Sequence, residues 1–230
     1  NSGTINDANG NAATLTLASP GASGSLGANK ALVIDGVVPT LTNVTSTTSD
    51  GTLKVGDVAA ITVTFSEAVT VSGTPQLTLS TGSSNAVVDY TSGSGTNILT
   101  FNYTVASNHN TSDLDYVATN SLTLNGGTVK DAAGNAASLT LFSPGESGSL
   151  GASKAIVIDN DVPTMSITAA EGIDGFTSND STLSLTFTSS EAITDFIIGD
   201  ITVTGGTIST FVAVNDTTYS ATFTPSGEGA

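Results

Sequence analysis

The chain is marked first by what it lacks. Its 230 residues include no cysteine, no tryptophan, one histidine and four basic residues, all of them lysine. Without cysteine, disulfide bonds and thiol chemistry are excluded. The single histidine, His109, lies in a polar loop, where it is expected to be solvated, and no nucleophile elbow, phosphate-binding glycine loop or zinc-protease motif occurs. The sequence therefore predicts that the chain is not an enzyme.

Positive charge and long apolar runs are also scarce. Twenty Asp and Glu residues against four lysines give a formal net charge of −16. This charge repels phosphate backbones and anionic membrane surfaces, which argues against a nucleic-acid partner. The longest apolar runs are far shorter than the roughly 20 residues of a membrane-spanning helix, so no membrane insertion is expected. The excess carboxylate has to be either dispersed in water or neutralised by cations.

What the sequence does contain is alternation of Val, Ile and Leu with Thr and Ser, the period-2 pattern of strands with one buried face. Turn-forming Gly, Ser, Asn and Pro residues separate the alternating runs. The predicted strands of the central region are 41–48, 60–65, 76–79, 86–91, 98–105, 115–118, 121–124, 138–142 and 155–158. Segment 143–153 is expected to be a flexible loop. Strands of this number and length predict an all-β fold of antiparallel, immunoglobulin-like sandwiches.

The sequence repeats itself with a spacing of 124 residues. Residues 3–40 and 127–164 are identical at 28 of 38 positions without a gap. A fixed period indicates tandem copies of one structural unit. We therefore expect residues 1–39 to be the C-terminal part of a preceding repeat, residues 40–163 to be a complete repeat, and residues 164–230 to be the N-terminal part of a following repeat of a different subtype.

Several motifs carry a resemblance to a known family. They are KVGDVAAITVTFSEAVTVSGTPQLTL (54–79), SGSGTNILTFNYTV (92–105), DLDY (113–116) and KDAAGN (130–135). Together they resemble the bacterial Ig-like repeats of very large secreted or surface-anchored adhesins, and residues 165–230 resemble a sister type. The resemblance implies an extracellular or cell-surface location. Tyr116 resembles the tyrosine of an Ig tyrosine corner, whose hydroxyl bonds to the backbone.

Calcium is the one cofactor that the carboxylates suggest, because it prefers six to eight oxygen ligands. In the junction Asp159-Asn160-Asp161, residues i and i+2 of an extended segment project to one side. This junction resembles the calcium-binding linkers of cadherins. Glu191 or the turn around Asp180 could complete such a site. The earlier junction keeps only Asp35.

A second candidate calcium site is the loop from Asp131 to Asn135, which recurs as Asp7 to Asn11. These residues could equally serve only to close a tight turn through side-chain hydrogen bonds. If the loop binds calcium, its partners at the same end of the sandwich are expected to be Asp50, Glu67, Asp113 and Asp115.

Three functions remain open at this point. The leading hypothesis is a non-catalytic extender segment of a giant adhesin, stiffened by calcium between domains, with neighbouring Ig-like repeats as its partners and any host ligand bound elsewhere. A second hypothesis is the subunit of an extracellular filament, in which partial domains of adjacent chains complete each other's sandwiches. A third is a module that binds glycans or proteins, although tryptophan is absent and tyrosine numbers only four.

Overall fold

The computed structural model describes residues 3–172, 177 and 179–227. It consists mainly of β-strands and divides into two compact units, Asn1–Ile158 and Asp159–Ala230. The helical elements of the described residues are two four-residue turns, α1 (Leu26–Asn29) and α2 (Leu150–Ser153), and one 3-10 turn, Ile198–Asp200. None of these helices is long and apolar enough to cross a membrane.

The first unit is an antiparallel sandwich with one short parallel pair. Its central strand is β3, which pairs with β1 on one side and with β6 on the other. The strands of this unit are β1 (Leu41–Ser46), β2 (Gly51–Leu53), β3 (Val58–Ser72), β4 (Gln76–Ser80), β5 (Asn85–Ser92), β6 (Thr96–Thr104), β7 (Asp115–Tyr116), β8 (Leu122–Thr123), β9 (Thr128–Lys130) and β10 (Ile156–Ile158).

The alternating sequence pattern produces the core directly. Along β3, Ile61, Val63 and Phe65 are buried on one face, and along β6 Leu99, Phe101 and Tyr103 are buried in the same cluster. Burial of each large apolar side chain contributes about 1.5–3 kcal/mol. The prediction of an all-β, Ig-like sandwich is confirmed.

Two long strands pass from one part of the sandwich to another. Strand β5 pairs with β4 through residues 85–89 and with β6 through Tyr90 and Ser92. Strand β3 pairs with β6 up to Thr64 and again at Val69, so that residues 65–68 oppose a single residue of β6. This bulge bends β3 and lets its last residues, 70–72, pair with β9. It also displays Glu67 at one end of the sandwich.

The last part of the first unit, residues 127–158, closes the sandwich. Strand β9 pairs with β3, and β10 runs parallel to β2. Two predictions fail here. Residues 138–142 form single backbone hydrogen bonds, such as Leu141 N–H to the Thr119 carbonyl, and no strand. The expected flexible loop at 143–153 ends in α2, whose first residue, Leu150, is fully buried.

Two interior side chains of the first unit make polar contacts that bear on the sequence predictions. The Tyr116 hydroxyl donates to the backbone carbonyl of Phe142 at 2.8 Å, so it bonds to the backbone as the resemblance implies, and it ties β7 to the closing residues further along the chain. His109 is 8% exposed, and its Nδ1 accepts from Ala106 N–H and lies 2.8 Å from the Tyr103 hydroxyl. The expectation of a solvated histidine was therefore wrong, because the polar sequence around it folds over the imidazole.

The second unit contains one described antiparallel sheet in the order β11-β12-β14-β13. Its strands are β11 (Met165–Ala169), β12 (Leu183–Ser189), β13 (Gly206–Ala213) and β14 (Thr218–Pro225). Among the described residues of this unit, Phe187, Tyr219 and Ala221 are the buried apolar ones. Phe196 packs edge-on against Phe187 and Tyr219, whereas Phe211 is tilted against Phe187 and stacked on Tyr219. The Tyr219 hydroxyl donates to the Ile193 carbonyl at 2.9 Å. Asp174, which lies 124 residues after Asp50 and is its counterpart in the repeat, lies outside the described residues.

Residues 3–34 repeat the loop, the bridge and the helical turn of residues 127–158, but they do not form the counterparts of β9 and β10 and lack most of the burial. Each segment has a β-bridge beside its Asp–Asn loop, Asn6 to Ala12 in one and Lys130 to Ala136 in the other. Each also has a helical turn whose N-terminal serine hydroxyl accepts an amide hydrogen bond at 3.2 Å. Burial nevertheless differs greatly, since Leu26 is 70% exposed and its counterpart Leu150 is fully buried.

Candidate metal centre

Three carboxylates from separate parts of the first unit meet at one end of the sandwich. Asp35 precedes β1, Glu67 lies in the bulge of β3, and Asp131 follows β9. One carboxylate oxygen from each lies within 4.8 Å of the others. We call these three residues the carboxylate cluster. Its members are 32 and 64 residues apart in sequence (67 − 35 and 131 − 67), so only the fold brings them together.

The loop from Asp131 to Asn135 fixes the first carboxylate through its own hydrogen bonds. Asp131 Oδ1 accepts from the backbone N–H of Gly134 at 2.7 Å and of Asn135 at 2.8 Å, and Oδ2 accepts from Asn135 Nδ2 at 2.7 Å. Gly134 has φ +100°, a conformation that favours glycine. The turn-closing role that the sequence suggested is therefore present, whether or not the loop also binds a metal.

The segment preceding β1 is held against this loop. Asp35 Oδ1 accepts from Val37 N–H at 3.0 Å, which makes a side-chain-closed turn. Asn135 Nδ2 donates to the Asp35 carbonyl at 3.2 Å, and Ser138 N–H donates to the Pro39 carbonyl at 2.9 Å. The linker of residues 35–39 is thus fastened to the domain that follows it by hydrogen bonds at two points.

The bulge of β3 supplies the third carboxylate and a third attachment. Ser66 Oγ accepts from Thr40 N–H at 3.0 Å, and Ser66 N–H donates to the Thr40 carbonyl at 2.8 Å. Glu67 follows directly and lies beside the other two carboxylates. The same serine–threonine pair of hydrogen bonds recurs in the second unit between Ser190 and Thr164, at 2.9 Å in each direction.

The electrostatics of the carboxylate cluster are those of crowded like charges. Burial, and then the negative charges of Asp35 and Asp131, raise the pKa of Glu67 above its usual value. Burial also acts to raise the pKa of Asp131, but hydrogen bonds from Asn135, Gly134 and Ala133 outweigh it, and the pKa is lowered. Among the described residues, one ion pair is formed, between Lys154 and Asp50. No lysine therefore pairs with the three carboxylates of the cluster within the described part of the chain.

This donor set matches a hard divalent cation. Carboxylate oxygens are the preferred ligands of calcium, and three carboxylates together with neighbouring carbonyls and water can supply its six to eight oxygens. A bound cation would also relieve the repulsion that raises the pKa of Glu67. Asp35, Glu67 and Asp131 are the residues that would hold it, with Asn135 orienting Asp131 and the Asp35 carbonyl.

The other proposed ligands lie elsewhere. Asp113 and Asp115 adjoin α2, where Asp115 is buried and accepts from Gly145 N–H at 2.9 Å, and burial followed by the charge of Asp115 raises the pKa of Asp113. Asp50 pairs with Lys154 at 3.7 Å. The structure therefore brings Glu67, and not these three aspartates, to Asp131.

The loop from Asp7 to Asn11 repeats the geometry of its counterpart. Asn11 Nδ2 donates to Asp7 Oδ2 at 2.7 Å, the same distance as in the 131–135 loop. That hydrogen bond is the main reason why the pKa of Asp7 is lowered. The loop is exposed, and no carboxylate among the described residues joins Asp7 in a three-member cluster.

In the second unit, Asp159 Oδ1 accepts from Asp161 N–H at 3.0 Å, the same turn that Asp35 makes with Val37. Glu191 follows Ser190 at the position equivalent to Glu67, and Asp180 is exposed. Within the described residues these four carboxylates do not form a three-member cluster of the kind seen at Asp35. Sequence reasoning included every member of the observed cluster but placed its leading hypothesis at the later junction.

Comparison with known families agrees with the fold. Residues 35–143 match a family model described as bacterial Ig-like domain, and residues 159–230 match a second model with the same description. No curated protein matches the chain. The chain is therefore composed of bacterial Ig-like domains, which typically occur in surface or extracellular proteins and are generally non-catalytic.

Proposed function

We propose that this chain is a non-catalytic extender segment of a large secreted or surface-anchored bacterial adhesin, and that calcium at Asp35, Glu67 and Asp131 fastens the linker of residues 35–39 to the domain that follows it. The observation that supports the proposal is the carboxylate cluster itself. One of its members belongs to the linker, one to the β3 bulge and one to the 131–135 loop. A cation held by all three would cross-link these segments.

Parts of this linker attachment recur 124 residues later in the chain. Asp159 and Glu191 occupy the positions of Asp35 and Glu67, and the serine–threonine attachment is present at both junctions. Tandem units with the same linker attachment suit a rod, because each unit interacts mainly with its neighbours. A rod of this kind would carry an adhesive module away from the cell, with adjacent Ig-like repeats as its structural partners.

Calcium linkage provides the test. A ligand that binds only the folded state stabilises it by about 2.7 kcal/mol at a hundredfold excess over Kd. Millimolar calcium should raise the melting temperature of the first unit, and chelator should reverse the change. Asp131→Asn should remove most of the gain. Asp89→Ala, on β5 and away from the carboxylate cluster, should retain it, because Asp89 only accepts from Gln76 Nε2 at 2.9 Å. An unchanged melting curve would refute calcium fastening.

The filament hypothesis is the alternative to an extender segment. Mass measurement of the native polypeptide and electron microscopy would distinguish a long array from polymerised subunits. The glycan-binding hypothesis gains no support from the tyrosines. Tyr103, Tyr116 and Tyr219 are buried, and Tyr90 is half-buried with its hydroxyl accepting from Ser94 N–H at 2.8 Å.

A further inference from the structure

The N-terminal and C-terminal segments of the sandwich in the first unit lie side by side and run in the same direction, since β10 pairs in parallel with β2. We call the contact between residues 44–53 and residues 148–158 the terminal clamp. We infer that the terminal clamp is the contact by which the first unit resists tension along the chain. This load-bearing role goes beyond the calcium proposal and needs no metal. Its use in the cell rests on the proposed function, because an extender is pulled at both ends.

The direction of the two segments decides how tension reaches the terminal clamp. Because both segments run the same way, Leu41 lies towards one end of the contact and Ile158 at the other. Tension that enters through Leu41 and leaves through Ile158 therefore draws the segments past each other along their own length. All the hydrogen bonds across the contact are then loaded together. In an antiparallel terminal pair, the same tension would open the bonds one at a time.

Backbone hydrogen bonds cross the terminal clamp along its length. Val44 N–H donates to the Gly148 carbonyl at 2.9 Å, and Gly51 N–H donates to the Ala155 carbonyl at 3.0 Å. The three residue pairs of β2 and β10 continue the contact from there. Hydrogen bonds in a parallel pair are evenly spaced, so a lengthwise load is shared among them.

Asp50 adds a side-chain link across the terminal clamp. Its Oδ1 accepts from Ala155 N–H at 3.3 Å and lies 3.7 Å from Lys154 Nζ. One carboxylate of the first segment thus contacts two successive residues of the second. A surface ion pair of this kind adds little to equilibrium stability. Under a lengthwise load it has to break together with the backbone hydrogen bonds, so its effect should appear in the rupture force.

Strand β10 is also secured on its other edge. Thr111 and Ile158 exchange both backbone hydrogen bonds, at 2.9 and 2.8 Å, and Leu114 N–H donates to the Ile156 carbonyl at 2.8 Å. Ile156 and Ile158 are fully buried in the core. Pulling β10 out of the sandwich therefore exposes two large apolar side chains to water in addition to breaking hydrogen bonds on both edges.

Single-molecule pulling in two directions tests the inference, since the chain contains no cysteine and handles can be attached at introduced ones. The full chain with Thr40→Cys and Val162→Cys is pulled lengthwise across the terminal clamp. The full chain with Lys54→Cys and Val162→Cys is pulled at the end where β2 and β10 both stop, so that their hydrogen bonds open one at a time. The lengthwise direction should require a several-fold higher rupture force at the same pulling speed. The three handle positions are exposed, and neither load passes through Asp35, so the measurement in chelator is independent of the calcium site.

Matched aspartate variants test the side-chain link. In the chain pulled lengthwise, Asp50→Ala should lower the rupture force more than Asp89→Ala, which removes a 2.9 Å hydrogen bond from Gln76 Nε2 outside the terminal clamp. Forced unfolding follows the unfolding rate, so the rupture force can fall while the urea midpoint changes little. Equal rupture forces in the two directions, or an Asp50→Ala chain that is no weaker than the Asp89→Ala chain, would overturn the inference.

Discussion

Residues 3–34 and residues 127–158 show how far one sequence determines its structure in two different surroundings. Both segments close an Asp–Asn loop, form a bridge beside it and cap a four-residue helical turn with serine. These features depend on hydrogen bonds over a few residues. They are therefore present in both copies, with nearly identical distances.

The apolar side chains of the two copies differ greatly in burial. Ile34 and Ile158 hold equivalent positions, yet one is 94% exposed and the other is fully buried. The difference arises because the second copy packs against residues 41–123. Local conformation is thus a property of the segment, whereas its contribution to stability depends on the surface it covers. Matched substitutions in the two copies should therefore have unequal effects.

The largest effect should come from truncating the leucine of the helical turn. Leu150→Ala removes a fully buried side chain and should destabilise the first unit by about 3–5 kcal/mol. Leu26→Ala changes an exposed residue and should alter stability by less than about 0.5 kcal/mol. Urea unfolding followed by circular dichroism measures both. Equal effects would mean that the two copies are buried alike in solution.

A smaller effect should follow from removing the Tyr116 hydroxyl, which binds only the second copy. Tyr116→Phe deprives the Phe142 carbonyl of its donor at 2.8 Å and should cost about 1 kcal/mol. Tyr90→Phe is the matched control, because the Tyr90 hydroxyl accepts from Ser94 N–H at an exposed position. The same denaturant titration applies. An unchanged free energy of unfolding in Tyr116→Phe would show that the Tyr116 hydrogen bond does not hold the closing segment of residues 127–158.

Substituting the aspartate of each loop should again cost more stability in the second copy than in the first, but the difference should be smaller than for the leucines. Asp131→Ala should lower the stability of the first unit, since it leaves two backbone amides and Asn135 without their acceptor, whereas Asp7→Ala should leave global unfolding unchanged. The lowered pKa of Asp131 means that its stabilisation is complete above the ordinary value of 3.8 and is lost as pH falls through the folded-state value. Thermal unfolding between pH 2 and 7 measures this. An acid-independent difference would contradict it.

The smallest effect should be a gain. Glu67 lies beside Asp131, whereas no such carboxylate lies beside Asp7 among the described residues. Burial and the charges of Asp35 and Asp131 raise the pKa of Glu67, so its negative charge destabilises the folded state above the folded-state pKa. Below the ordinary value of 4.5 the group is protonated in both states and the penalty is absent. Glu67→Gln should therefore raise the melting temperature slightly at pH 7 in chelator and have no effect at pH 3. A loss of stability at pH 7 would indicate that Glu67 makes a stabilising contact.

Much of the fold could be predicted because its signals are local. The alternation along Ile61, Val63 and Phe65 predicts a half-buried strand directly, and the turn residues mark the ends of most strands. The short strands β2 and β9 were missed, since three residues carry too little periodicity. Leu150 was missed for a different reason. Its glycine- and serine-rich surroundings indicate a loop, and only tertiary packing against the rest of the first unit buries it.

One part of the candidate site could likewise be predicted from local sequence, and the other part depends on the fold. Asp131 and Asn135 were recognisable as one unit because their hydrogen bonds span four residues. The grouping of Asp35 with Glu67 and Asp131 depends on the bulge in β3 and on the attachment of the linker to the domain, and neither has a signature in the residues themselves. The sequence favoured a calcium site at Asp159 and Asp161, because two carboxylates lie close together there. In the structure, the fold brings three carboxylates together at Asp35, Glu67 and Asp131 instead.

Isothermal titration of calcium into the full chain tests the central claim most directly. The account predicts saturable binding that is lost in the double variant Glu67→Gln/Asp131→Asn and retained in Asp89→Ala. The variant Asp159→Asn/Asp161→Asn should keep the binding at the first junction, which separates the carboxylate cluster from the later pair. Binding that disappears with Asp159 and Asp161 but survives the loss of Glu67 and Asp131, or no binding by the unaltered chain, would contradict the account.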